Sequence, residues 1–60
     1  MNLPKDPYML LSFVNTNLRD YFDNLDSFCE NNNIDRKELE IKMDSIGYQY
    51  IKEENQFKWF

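Results

Sequence analysis

The stretch Ile34-Asp35-Arg36-Lys37-Glu38-Leu39-Glu40-Ile41-Lys42-Met43-Asp44-Ser45-Ile46-Gly47 decides the fold. Asp35 is placed to cap a helix, because its short side-chain acceptor can satisfy the first free backbone N–H groups. Glu38, three residues on, completes a capping box, and Ile34 and Leu39 bracket the cap at hydrophobic-staple spacing. Gly47 supplies the left-handed residue on which a helix stops. These signals predict a helix over 36–46, with Leu39, Met43 and Ile46 on its buried face. Lys37, Glu40, Ile41, Asp44 and Ser45 fall on the opposite face.

Upstream, Asp6 followed by Pro7 is a second helix start: a capping carboxylate, then a proline whose fixed φ suits the first helical position. Leu10, Leu11, Val14, Leu18, Tyr21 and Phe22 recur at helical spacing on one broad face and predict a helix over 7–22. Ser12, Asn15 and Arg19 fall opposite. Met9 and Phe13 form a second apolar ridge. The plain expectation is that this ridge packs beneath the C-terminal segment, against Phe57 or Trp59; the alternative is that a second copy or another partner covers it. Asp23 and Asn24 can cap a further helix over 24–31 that contains Leu25, Phe28 and Cys29. Asn31, Asn32 and Asn33 end it, since asparagine tolerates the left-handed conformation.

Downstream of Gly47 the period changes from helical to alternating. Tyr48 and Tyr50 share a face, as do Phe57 and Trp59, and Glu53, Glu54 and Asn55 mark the turn between strands over 48–52 and 56–60. A lone hairpin is barely stable in water, so this one must pack on the helices. The reading is therefore a single α+β domain over 1–60, with a tri-helical helix-turn-helix core followed by a C-terminal β-hairpin, the outline of a winged helix.

Composition narrows the chemistry. A chain of 60 residues buries little surface, and its ten aromatic residues are the main source of apolar burial. The single cysteine excludes an intrachain disulfide, and without histidine the common zinc sites lack their ligands. No metal or cofactor site is expected. Asp20, Asp23 and Asp26 read as a solvated face, and Cys29, beside Asp26 and Glu30, reads as a small core residue with a raised pKa. Catalysis is not expected, so the chain is read as a non-enzyme. No apolar run approaches a bilayer span and no export signal opens the sequence, which together with the lone cysteine leads us to expect a cytoplasmic protein.

The spacing of Cys29, Asn33, Ile34 and Leu39 resembles the helix-turn-helix family: a small residue in one helix, a left-handed residue four later, then two apolar residues that fill the angle between helices. Lys42 departs from that pattern, with Met43 able to serve instead. The resemblance implies DNA binding as one reading, but charge opposes it. The net charge is −4, and from Ile34 onward there are five basic and six acidic side chains. Glu53 and Glu54 at the hairpin tip would repel phosphates, and the outer face of the third helix lacks the basic and amide groups that read base edges. Stacking of single strands on the aromatic hairpin fails for the same reason, since only Lys52 and Lys58 lie there. The favoured reading is a protein-interaction or regulatory module, with a DNA-binding regulator as the alternative. Its candidate surface comprises Met9, Phe13, Lys37, Ile41 and Asp44; the expected partner is a protein, self or heterologous, and no membrane.

Taken together, Asn2-Leu3-Pro4-Lys5-Asp6-Pro7-Tyr8-Met9-Leu10-Leu11-Ser12, Leu18-Arg19-Asp20, Ile46-Gly47-Tyr48 and Asn55-Gln56-Phe57 resemble a small bacterial family known only as a domain of unknown function. The resemblance spans nearly the whole chain. It implies a free-standing cytoplasmic protein of this size and carries over no activity, cofactor or site. Asn2 and Lys5, which helix capping does not explain, suggest an N-terminal arm that docks on the body or on a partner.

Overall fold

The computed structural model describes residues 3–60. Three helices, α1 (Pro7–Asp20), α2 (Leu25–Asn31) and α3 (Arg36–Asp44), precede an antiparallel hairpin of β1 (Tyr48–Ile51) and β2 (Gln56–Trp59). The arrangement is α+β, as expected. Each helix starts where a short polar side chain can receive its free N–H groups. Asp6 Oδ1 accepts from Tyr8 N–H at 2.8 Å and Met9 N–H at 3.3 Å, with Pro7 at the first helical position. Asn24 Oδ1 accepts from Ser27 N–H at 2.8 Å, and Asp35 Oδ1 from Lys37 N–H at 2.9 Å. The Asp35 cap is one-sided: among the described residues no bond returns from Glu38, which is exposed, so the expected capping box is half-formed.

The helices are shorter than the apolar pattern predicts. At the end of α1 the chain leaves helical geometry at Tyr21 (φ −129°, ψ −23°), and Phe22 N–H reaches back to the Asn17 carbonyl. Tyr21 is consequently exposed, whereas Phe22 turns back onto the core. The α3 segment relaxes at Ser45, before the left-handed Gly47 at φ +84°. Between α2 and α3, Cys29, Asn33, Ile34 and Leu39 have the burial and backbone conformation that their spacing predicts. Cys29 is buried, Asn33 is left-handed at φ +57°, Ile34 packs against the core, and Leu39 and Met43 lie inside it. Lys42 is exposed, so Met43 takes the apolar role.

Leu10, Val14 and Leu18 of α1, Leu25, Phe28 and Cys29 of α2, Leu39 and Met43 of α3 and Phe57 of β2 form one core. Phe28 sits at its centre, edge-on to Phe13 (6.2 Å, 64°) and to Phe22 (5.7 Å, 79°). The expected Met9–Phe13 ridge is thus divided. Phe13 packs edge-on against Phe28 of α2, while Met9 remains 63% exposed. Leu3 and Pro4 are half-buried, Leu3 against the core, so the arm docks on the body through an apolar contact. Lys5 is exposed, and Asn2 lies outside the described residues.

Polar side chains fasten the hairpin to α1. Asn15 Nδ2 donates to the Phe57 carbonyl at 3.1 Å, and its Oδ1 accepts from Phe57 N–H at 2.8 Å. Asn15, opposite the main apolar stripe of α1, therefore faces β2. Gln56 Nε2 donates to the Asn15 carbonyl at 2.9 Å. In the turn, Asn55 is left-handed (φ +53°), and its Nδ2 donates to the Leu18 and Phe22 carbonyls at 2.9 and 2.8 Å. Tyr50 Oη donates to Asn55 Oδ1 at 2.7 Å and accepts from Leu25 N–H at 3.2 Å. The Asn55 bonds occupy the Leu18 carbonyl in the last turn of α1 and the Phe22 carbonyl just beyond it, both partly buried.

The strands run over four residues each, with Tyr48 opposite Trp59 and Tyr50 opposite Phe57. Both pairs are aromatic contacts across the strands, at 5.7 Å and 5.6 Å between ring centroids. Phe60, expected to continue β2, lies just beyond it and is exposed. Gly47 has two reasons to be glycine: its positive φ, and the Trp59 ring, whose Cζ3 would lie 3.1 Å from an added Cβ. Gly47→Ala is expected to lower stability by about 1–2 kcal/mol. Gly47→Asn, which tolerates the backbone better, should report the ring clash more selectively; urea titration followed by Trp59 fluorescence measures both.

Candidate functional site

Three of the five residues singled out from the sequence converge. Lys37, Ile41 and Asp44 lie one and two helical turns apart on the outer stripe of α3 and line a groove of about 420 Å³ against β1. Glu40 of α3, together with Tyr48, Gln49, Tyr50 and Phe57 of the hairpin, completes its walls. Met9 and Phe13 do not belong to it. Ile41 is 62% exposed, with a cation at one end of its stripe and an anion at the other. Only a short apolar surface is therefore offered, bounded by charges of both signs.

Arg36, unremarked in the sequence, holds the walls together. Its Nη1 donates to Asp26 of α2 at 2.8 Å and its Nε to Glu40 of α3 at 2.6 Å, and the guanidinium lies 5.5 Å from the Tyr50 ring centroid. The hydrogen bonds to Asp26 and then Glu40 hold its pKa above the ordinary arginine value. Asp26 is thereby a structural ion-pair partner. Asp20 is likewise paired, with Arg19, whose hydrogen bond lowers the carboxyl's pKa against opposing desolvation. The spacing Arg36–Glu40 is a helical i,i+4 pair and could have been read from the sequence. The reach to Asp26 and Tyr50 could not, because both depend on how three elements meet.

Cys29 is buried, and burial pushes its thiol pKa up; Arg36 opposes this, and Asp26, Glu40 and Asp35 add to it. Glu30, named beside it in the sequence, is not among those influences. A buried protonated thiol is a poor nucleophile. Among the described residues no group of three or more potential ligands could hold a metal ion, and no helix is long and apolar enough to cross a membrane.

The fold defines a three-helix α+β domain closed by a single hairpin. The chain belongs to the family described as Domain of unknown function (DUF4250), whose model matches residues 4–57. No curated protein and no solved structure matches it.

Proposed function

We propose that this chain is a small protein-interaction or regulatory module that docks a protein partner in the groove between α3 and β1. The observation that carries the reading is Ile41, an exposed aliphatic side chain on a groove wall that also holds three aromatic residues, Tyr48, Tyr50 and Phe57. Apolar anchors at the centre of a polar rim are what protein interfaces use. The module works in the cytoplasm and catalyses no reaction, a reading supported by its unpaired, protonated cysteine.

The alternative is a winged-helix reader of DNA, which draws on the geometry around Cys29, Asn33, Ile34 and Leu39. The exposed stripe of α3 opposes it, because a helix in a major groove needs basic and amide groups where Ile41 and Asp44 stand. Ile41→Asp separates the readings. Tagged wild-type protein is expected to retain one stoichiometric protein partner from its native cell, and Ile41→Asp to lose at least tenfold of that recovery with an unchanged circular dichroism spectrum. Recovery of a defined DNA fragment, with affinity falling steeply as salt rises, would overturn the proposal.

A further inference from the structure

The two edges of the hairpin are treated differently. Phe60 N–H donates to the Gly47 carbonyl at 3.1 Å, making Gly47 and Phe60 a hydrogen-bonded pair. Since such pairs alternate along an antiparallel ladder, Gln49–Lys58 and Ile51–Gln56 are hydrogen-bonded as well, and Tyr48–Trp59 and Tyr50–Phe57 are not. The N–H and C=O groups of Tyr48, Tyr50, Phe57 and Trp59 must then point away from the sister strand. At Phe57 both are taken by the Asn15 amide, which stands where a third strand would. At Tyr48 and Tyr50, and at Trp59 near the end of β2, no other group of the described chain is bonded to them. Three consecutive residues, Tyr48, Gln49 and Tyr50, line the groove. Successive side chains alternate faces, so only the edge of β1 can present all three.

An open strand edge beside a helix is a receptor for another strand. The α3 wall indicates which. Lys37, Ile41 and Asp44 form a stripe with its apolar residue near the middle and opposite charges at its ends. Reversed by a two-fold axis, that stripe complements itself: Ile41 meets Ile41, and Lys37 meets Asp44 at both ends. The strand edge has the same symmetry about Gln49, since Tyr48 and Tyr50 are the outward-facing residues on either side of it.

We infer that the groove is occupied by a second copy of this chain, β1 pairing antiparallel with β1 of that copy about Gln49. Each Tyr48 then exchanges backbone hydrogen bonds with Tyr50 of the second copy, giving a continuous sheet in the order β2-β1-β1-β2. Such a sheet is better supported than an isolated hairpin. The inference rests on the groove being a docking surface and specifies what docks there.

Charge reversal tests it without disturbing the fold. Lys37→Asp places an acid in the first turn of α3 and Asp44→Lys a base in its last, both favoured by the helix dipole. Sedimentation equilibrium of the wild type is expected to show a mass rising with concentration from the 7.4 kDa of one chain toward twice that value. Each single variant should dimerise about tenfold more weakly, because like charges now face each other. An equimolar mixture of the two variants should recover the wild-type affinity, since all four charges are then opposed. Amide exchange at Tyr48 and Tyr50 should slow as the dimer forms. A wild type that stays monomeric at millimolar concentration overturns the inference, as does a mixture no tighter than its components. If the wild type is monomeric yet Ile41→Asp still loses its protein partner, the two-copy inference fails and the docking surface stands. If Ile41→Asp changes neither association nor recovery, both fall.

Discussion

Asn55→Ala is expected to lower stability by about 4 kcal/mol, close to the whole stability of a domain this size. The substitution removes the amide that satisfies the Leu18 and Phe22 carbonyls and the acceptor that receives Tyr50 Oη. Each of these partly buried groups left without a partner costs about 1 kcal/mol or somewhat more. Alanine at φ +53° adds about 1 kcal/mol, which glycine would avoid. Thermal denaturation of the Ala and Gly variants therefore divides the effect. Both should fall well below the wild type, with Gly above Ala by about 4–8 °C. A Gly variant as stable as the wild type would mean that the side-chain bonds contribute nothing and that only the backbone conformation matters.

Phe28→Ala is expected to leave the chain largely unfolded at 25 °C, at a cost of about 3–5 kcal/mol. The ring is fully buried, and both its edge-on partners come from outside its own helix, Phe13 on α1 and Phe22 in the loop after it. Deleting it opens a cavity bordered by three elements that have no common backbone to collapse along. Phe28→Leu, which keeps most of the volume, should lose roughly half as much. Urea unfolding by circular dichroism measures both; equal losses would show that the aromatic edges, and not the space they fill, carry the stability.

Those two residues also show where the sequence was legible. Asp6, Asn24 and Asp35 bond backbone groups two or three positions away, so their capping roles follow from local order alone. The left-handed turns at Asn33 and Gly47 are local in the same sense. Asn15, by contrast, bonds a residue 42 positions distant, and Asn55 bonds residues 33 and 37 away. A polar side chain on a helix reads as solvent-facing until the strand it meets is placed. Phe13 shows a related limit: helical periodicity gives the stripe a residue occupies but not that Phe28 of α2 will meet it edge-on.

The candidate surface divides in the same way. Lys37, Ile41 and Asp44 lie on one helix, and their common stripe is fixed by 3.6 residues per turn. The open edge of β1 was not legible, because which backbone groups face outward depends on the register of the hairpin, set here by the pairing of Ile51 with Gln56. Charge patterning was more informative than motif. The motif spacing matched burial at Cys29 and Leu39 and the left-handed turn at Asn33, whereas the charges on the outer face of α3 bear on what that face can bind.

The amide clasp between Asn15 and Phe57 bears on how the chain is made. A ribosome delivers Asn15 early and Phe57 only 42 residues later. Until then α1 has nothing to hold its polar side chain, and the Leu18 carbonyl waits for an asparagine not yet translated. A growing chain can begin its helices, but it cannot lock them. Completion of the core therefore waits for β2, and a chain that ends before that strand lacks Phe57 and both amide bonds that hold the hairpin to α1.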